Sequence, residues 1–317
     1  MILPSTVIAS VLPVYLLIVA GAVLRKLGVV REEHDAGVLQ LANAVMLPCF
    51  ILDKILGSAV LKSGTVVLWS MGLGFGMILI GLLTGWLVGR LIGLKRGAGM
   101  RTFALSAGCQ NFGFTAVPVV EILWGTGALA LLFVHNIGVV TAIWSVGVMV
   151  LCGERGLSWR KLINGPVVAV TIGLILVAMG VDSQVTGAGR KAISMIGVGA
   201  FPVSILITGC TMVDLIRSER PDWRVIVGSS LVRLGLVPLA ILSAAKYLPL
   251  STELRQVLVV QAAMPAGMTS IMMTQLYGGR TAVAIQIVTA TTVLSFLTLP
   301  WIIAWGSDWV GLKAMLP

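Results

Sequence analysis

The chain has 317 residues, 58% of them apolar and only 11% charged, with a mean hydropathy of +1.04. Those values lie far outside the range of soluble globular domains and leave no room for a separate soluble domain, so the chain reads as an all-α polytopic membrane protein. Its net charge of +10 comes from 22 Lys and Arg scattered in ones to threes between apolar runs, a pattern that marks membrane topology and not a nucleic-acid partner.

A membrane-crossing helix needs about 20 mostly apolar residues. Stretches of that kind predict ten spans, near residues 2–24, 36–56, 63–89, 102–123, 127–151, 162–181, 192–213, 225–245, 256–277 and 281–305. No basic segment or small-residue cleavage site precedes the first, which is therefore expected to remain as span 1. Charge clusters mark most boundaries, as at Arg25-Lys26, Arg90 with Lys95-Arg96, Arg155 with Arg160-Lys161, and Arg217 with Arg220; Gly125 to Gly127, between spans 4 and 5, is the weakest. Alternate connections starting from 1-2 hold 14 Lys and Arg, against seven on the other side. The positive-inside rule then places both termini outside the cytoplasm of a cell (plasma or inner) membrane. Cys49, Cys109, Cys152 and Cys210 lie in apolar stretches without CxxC or metal-ligand spacing. They are expected to be small core residues, with no metal or other cofactor.

Taken in chain order, span 2 carries Pro48, a candidate helix kink, and ends near Asp53 and Lys54. Span 4 is the most unusual: Ser106-Ala-Gly-Cys-Gln110-Asn111-Phe-Gly113-Phe-Thr-Ala-Val-Pro118 places amides, glycines and a proline where an unbroken lipid-spanning helix is expected. Glycine tolerates dihedrals that other residues resist, and proline removes a donor and crowds the preceding turn. Broken backbone at membrane depth must be buried in protein or line a watery cavity, and transporters bind cargo at such breaks. The half-helix beyond the break offers free N–H groups and a positive dipole end to an anion. Gln110 and Asn111 either contribute to that site or only satisfy the unwound backbone. Glu121 follows by a few turns and is either functional or interfacial.

Span 5 carries His135, a proton-coupling candidate or a hydrogen-bonded core histidine, followed by Asn136. Span 7 has Pro202. Arg233 lies midway along span 8 and must find a carboxylate, carbonyls, water or a substrate anion; it is a substrate or gating candidate, or half of a structural pair. Gln261-Ala-Ala-Met-Pro265-Ala-Gly267-Met-Thr269 interrupts span 9, with Ser270 adding a further polar atom. Gln286, Thr289, Thr291, Thr292 and Ser295 form a polar stripe on span 10, which either faces span 9 or bonds between helices.

An offset of 154 residues sets Leu47-Pro48-Cys-Phe-Ile51-Leu52 on Phe201-Pro202-Val-Ser-Ile205-Leu206, Trp69 on Trp223, Gly113 on Gly267, Thr115 on Thr269, Gly125 on Gly279 and Ala128 on Ala282. Such a register predicts an internal repeat, with five spans in residues 1–156 and five in 157–317. An odd number of spans per half means that the halves are inverted, and broken helices in equivalent positions of inverted halves meet near the bilayer midplane. The offset puts Asn111 on Pro265, which pairs the two breaks.

Several segments together resemble the auxin efflux carrier family. They are Leu12-Pro13-Val14 leading to Gly21 and Leu24-Arg25, Asn43 to Pro48, Asn111 to Pro118, Ile143-Trp144 before Gly153-Glu154-Arg155-Gly156, Ala263 to Gly267, and Thr291 to Pro300. The resemblance implies a fold of ten helices in two inverted repeats, shared in outline with bile-acid symporters and sodium-proton antiporters. It implies a scaffold of spans 1, 2, 6 and 7 and a transport domain of spans 3–5 and 8–10 that moves against it. On that pattern Asn111 and Pro265 lie at the crossing of helices 4 and 9, His135 faces it, and Pro48 and Pro202 border it. The short connection between spans 5 and 6 is that of a bacterial-type member, a type associated with small carboxylates such as malate and malonate.

The function expected is therefore secondary transport of a small organic anion by an elevator-like motion, driven by a proton or sodium gradient or by the membrane potential. A homodimer is left open. The alternative is a receptor or regulatory subunit that keeps the fold and binds a ligand without moving it. An enzyme is disfavoured, because the sequence has no HExxH pair, carboxylate dyad or serine-histidine constellation, and ATP is not indicated without a GxxxxGK[ST] loop.

Overall fold

The computed structural model describes residues 4–95, 99–113, 115–152, 163–216 and 221–312. In chain order the helices are α1 (Pro4–Lys26), α2 (Glu32–Ile55), α3 (Gly64–Leu91), α4 (Met100–Gly108), α5 (Ala116–Cys152) and α6 (Gly165–Ala178). They continue with α7 (Gly187–Asp214), α8 (Trp223–Tyr247), α9 (Thr252–Ala263), α10 (Thr269–Tyr277) and α11 (Thr281–Val310). The described residues contain no strand, only one isolated bridge between Gln110 and Ala266. Helix is what these sequences favour, because it pairs every backbone amide within one segment where no water is available.

Seven of these helices are long and apolar enough to cross a membrane. Segments 102–123 and 256–277 were expected to be spans 4 and 9; each is divided into two short helices, α4 with the start of α5, and α9 with α10. Spans 4 and 5 meet where their weak boundary is expected: α5 is two helices joined without a loop at a corner at Gly125, with φ 73° and ψ −161°. Side chains are disfavoured at that φ, so one glycine does the work of a loop. Residues 153–162 lie outside the described structure, and with them the Gly153 to Gly156 motif, Arg160-Lys161 and the expected division at 156. The same holds for Arg96, Phe114, Arg217 and Arg220.

Three helices widen locally into π turns, at Ala42–Met46 in α2, Ile143–Gly147 in α5 and Val232–Leu236 in α8. Pro48 and Pro238 stand two residues beyond the first and third. A proline ring clashes with the carbonyl of the fourth residue before it, and the wider turn relieves that clash. In α5 no proline follows; there the Ser145 hydroxyl bonds back to the Thr141 carbonyl, which weakens the regular ladder.

α1 lies along α7, and α2 packs on α6 and α7. The first of these pairs is close: a Cβ at Gly21 would lie 2.0 Å from the Leu206 carbonyl oxygen. The other helices form a second group, in which α3 packs on α4 and α5, α9 on α5, α8 and α11, and α11 on α4 and α8. The groups meet where α1 and α7 touch α11 and where α2 touches α5. Tyr15 stacks on Phe296 there, at 3.9 Å between ring centroids. Leu12, Leu16, Val19, Leu68, Leu83 and Leu87 leave apolar faces of α1 and α3 exposed, as lipid-facing helices require.

Candidate functional site

Each broken segment is a pair of half-helices whose facing ends meet at the interruption. α4 stops at Gly108 and α5 starts at Ala116, while α9 stops at Ala263 and α10 starts at Thr269. Pro118 occupies the first turn of α5, where its missing N–H costs no helical bond. Shifted by 154 residues, the first gap falls on the second.

The two unwound stretches bond to each other. The Asn111 N–H donates to the Pro265 carbonyl at 2.7 Å, and the Gly267 N–H donates to the Cys109 carbonyl at 2.9 Å, forming an antiparallel rung at Gln110 and Ala266. Backbone freed by one break is thereby satisfied by the other, as it must be in a buried place. Proline suits position 265 because the rung uses only its carbonyl. Gly267 is needed for approach: an added Cβ would lie 2.7 Å from the Gln110 carbonyl oxygen. A third strut comes from α11, where the Thr291 hydroxyl accepts from the Ala266 N–H at 3.1 Å.

Side-chain amides converge beside the rung. The Asn136 carboxamide donates to the Phe112 carbonyl at 3.0 Å, and that of Gln261 reaches the same oxygen and Asn136 Oδ1, both at 3.3 Å. Asn111 Nδ2 donates to the Thr115 hydroxyl at 3.1 Å. The Gln110 side chain is fully buried, and neither of its amide atoms has a partner; Gln261 Oε1 is also unpartnered. Such orphans are rare in folded interiors and call for an explanation. The N-termini of α5 and α10 follow the two unwound stretches directly, and the Val117, Ser270 and Ile271 N–H groups there donate to the Gly113, Gly267 and Met268 carbonyls.

The other candidates are distributed around this centre. Gly113 is half-buried with open space beside it, and Thr269 begins α10. His135 is buried against α3, where its Nδ1–H donates to the Ser70 carbonyl at 3.1 Å, and its Nε2 is unpartnered. Arg233 is fully buried, and its Nη1 donates to the Gly108 carbonyl at 3.5 Å. Pro48 packs near Gly165 at the start of α6, while Pro202 is exposed on α7. Glu121 pairs with Lys54 of α2 at 2.6 Å.

That last pair joins α5 to α2, and its two members carried no sequence signal that they would meet. The Tyr15 hydroxyl, which donates to the Ser295 carbonyl at 3.0 Å, was equally hidden. The polar stripe on α11 does several jobs: Thr291 braces the rung, Ser295 receives Tyr15, and Gln286 Oε1 accepts from the Asp222 N–H at 2.9 Å.

No curated protein matches the chain. A family model described as "Membrane transport protein" matches residues 6–158 and 149–303, which together cover both interruptions and nearly the whole chain. The chain is thus a multi-pass membrane protein and belongs to the auxin efflux carrier family of membrane transport proteins.

Proposed function

We propose that this protein is a secondary active transporter that moves a small organic anion, such as a carboxylate, and binds it at the rung between the α4/α5 and α9/α10 interruptions. The observation that carries the reading is the fully buried Gln110 carboxamide with both polar atoms unpartnered, in the interruption that forms this rung. The carboxamides of Asn111, Asn136 and Gln261 lie in or bond to the same unwound stretch, where they now donate to Thr115, Phe112 and Asn136 and would turn to an anion. A carboxylate accepts several such bonds, and charge strengthens each of them.

Ten spans in two inverted repeats, with α1, α2, α6 and α7 as scaffold and the remaining helices as the moving body, give the motion. Support comes from the coincidence of the two interruptions at one offset and from the separate packing of the two helix groups. An elevator-like displacement along the α1/α11 and α2/α5 contacts would expose the rung to each side in turn. A proton or sodium gradient, or the membrane potential, drives it, with His135 as the proton candidate. Both termini lie outside the cytoplasm in this reading.

The test is uptake of labelled malate, malonate and indole-3-acetate into vesicles containing the purified protein, with pH, sodium and potential gradients imposed in turn. Accumulation above protein-free vesicles supports the proposal. Binding of these acids without uptake under any gradient would replace it with the receptor reading.

A further inference from the structure

Arg233 is not used by the rung. Its guanidinium is fully buried midway along α8, held in the π turn that Pro238 imposes. The bond from Nη1 to Gly108 is 3.5 Å long, the outer limit for such a contact. Nε and Nη2 have no partner, and no ion pair among the described residues includes Arg233. A lone charge at membrane depth is strongly disfavoured unless an anion or water reaches it. Gly108, which it touches, leads through Cys109 to Gln110, whose carboxamide is likewise buried and unpartnered. The cation with two unpartnered nitrogens and the amide with two unpartnered polar atoms thus flank one short piece of backbone. A planar guanidinium fork matches a carboxylate.

We propose that Arg233 is the fixed counter-charge of the cargo anion, an inference that rests on the transporter reading of the rung. α8 packs on α3, α4, α9 and α11, so the charge travels with the site. Loaded with a monovalent anion, the moving body is electrically neutral at this point; emptied, it carries one positive charge back. Moving one charge through 100 mV shifts an equilibrium on the order of fiftyfold. Net uptake, which needs the empty return, is therefore voltage-sensitive, whereas exchange of monovalent anion for monovalent anion is not.

Two measurements on the full-length protein test this. In detergent, malonate and indole-3-acetate should raise the unfolding temperature while uncharged malonamide does not. Arg233→Gln should weaken both acids by about tenfold or more, with Arg233→Lys recovering most of the loss. In vesicles, indole-3-acetate exchange should ignore an imposed potassium diffusion potential and net uptake should follow it, and Arg233→Gln should make exchange the sensitive mode. A guanidinium that only braces α4 would lower the unfolding temperature of Arg233→Gln and leave voltage dependence unchanged, which overturns the proposal. So does the absence of stabilisation by either acid. If Arg233→Gln fails to fold, the wild-type comparison decides, and equal voltage dependence of exchange and net uptake overturns it. Arg233-dependent binding without uptake supports the counter-charge and removes the transporter reading.

Discussion

Asn111, in the unwound stretch between α4 and α5, and Asn164, the N-cap of α6, predict opposite phenotypes. Asn164 caps α6 by accepting from the Val167 N–H at 3.0 Å, so Asn164→Ala should cost about 1 kcal/mol of stability and leave transport intact in protein that folds. Asn111 stands at the rung. Asn111→Ala removes an amide facing the proposed anion; losing a hydrogen bond to a charged group costs about 1.5–3 kcal/mol, and uptake at low substrate should fall roughly tenfold to a hundredfold. Equal effects of the two substitutions on uptake would sink the site assignment. His135→Gln can keep a donor to the Ser70 carbonyl but cannot take up a proton. Flattening of the pH profile of uptake is expected if His135 couples protons, and an unchanged profile removes it from the mechanism. Polar residues within apolar runs are visible in a sequence, which is why Gln110, Asn111 and Gln261 could be singled out. Their partners could not, because no spacing rule connects Gln261 with Asn136 or Lys54 with Glu121.

Among the elements, the α3–α4–α5 layer depends on backbone approach more than on side-chain interlock. A Cβ at Gly138 would lie 1.9 Å from the Met71 carbonyl oxygen, and one at Gly81 would lie 2.3 Å from that of Gly108. Gly138→Ala should therefore force α3 and α5 apart and destabilise by about 1–3 kcal/mol, read as a lower unfolding temperature in detergent. Gly113→Ala, where the added methyl meets no described residue within 4 Å beyond its chain neighbours, is the control and should unfold close to wild type. Hydropathy located the long helices well. It placed the boundary of spans 4 and 5 at the corner where the two helices meet, but could not show that the single residue Gly125, with no loop, makes that corner. The π turns were hidden too, since Pro48 predicts a kink without saying how the turn absorbs it.

At the scale of the whole molecule, few polar contacts among the described residues join the two helix groups. The Lys54–Glu121 pair spans them at 2.6 Å with both side chains partly exposed, so it is worth at most about 1 kcal/mol, or roughly a fivefold bias toward the arrangement that contains it. Glu121→Gln should alter the uptake rate by that order, and exchanging the two charges in a double variant should restore it; additive effects in the double variant would show that the pair does not bias the motion. The internal offset was legible because the same backbone accident, a proline or amide within a helix, falls at matching positions in both halves. That the two accidents hydrogen-bond to one another was not, since pairing depends on how helices cross. The rung also has a kinetic consequence. Asn111 and Gly267 each donate their backbone hydrogen to the opposite stretch, so neither hydrogen can be released without separating both interruptions at once. In deuterated solvent these two amides should exchange slowly and at one common rate, as a single cooperative unit, and a cargo that binds across the rung should slow both together.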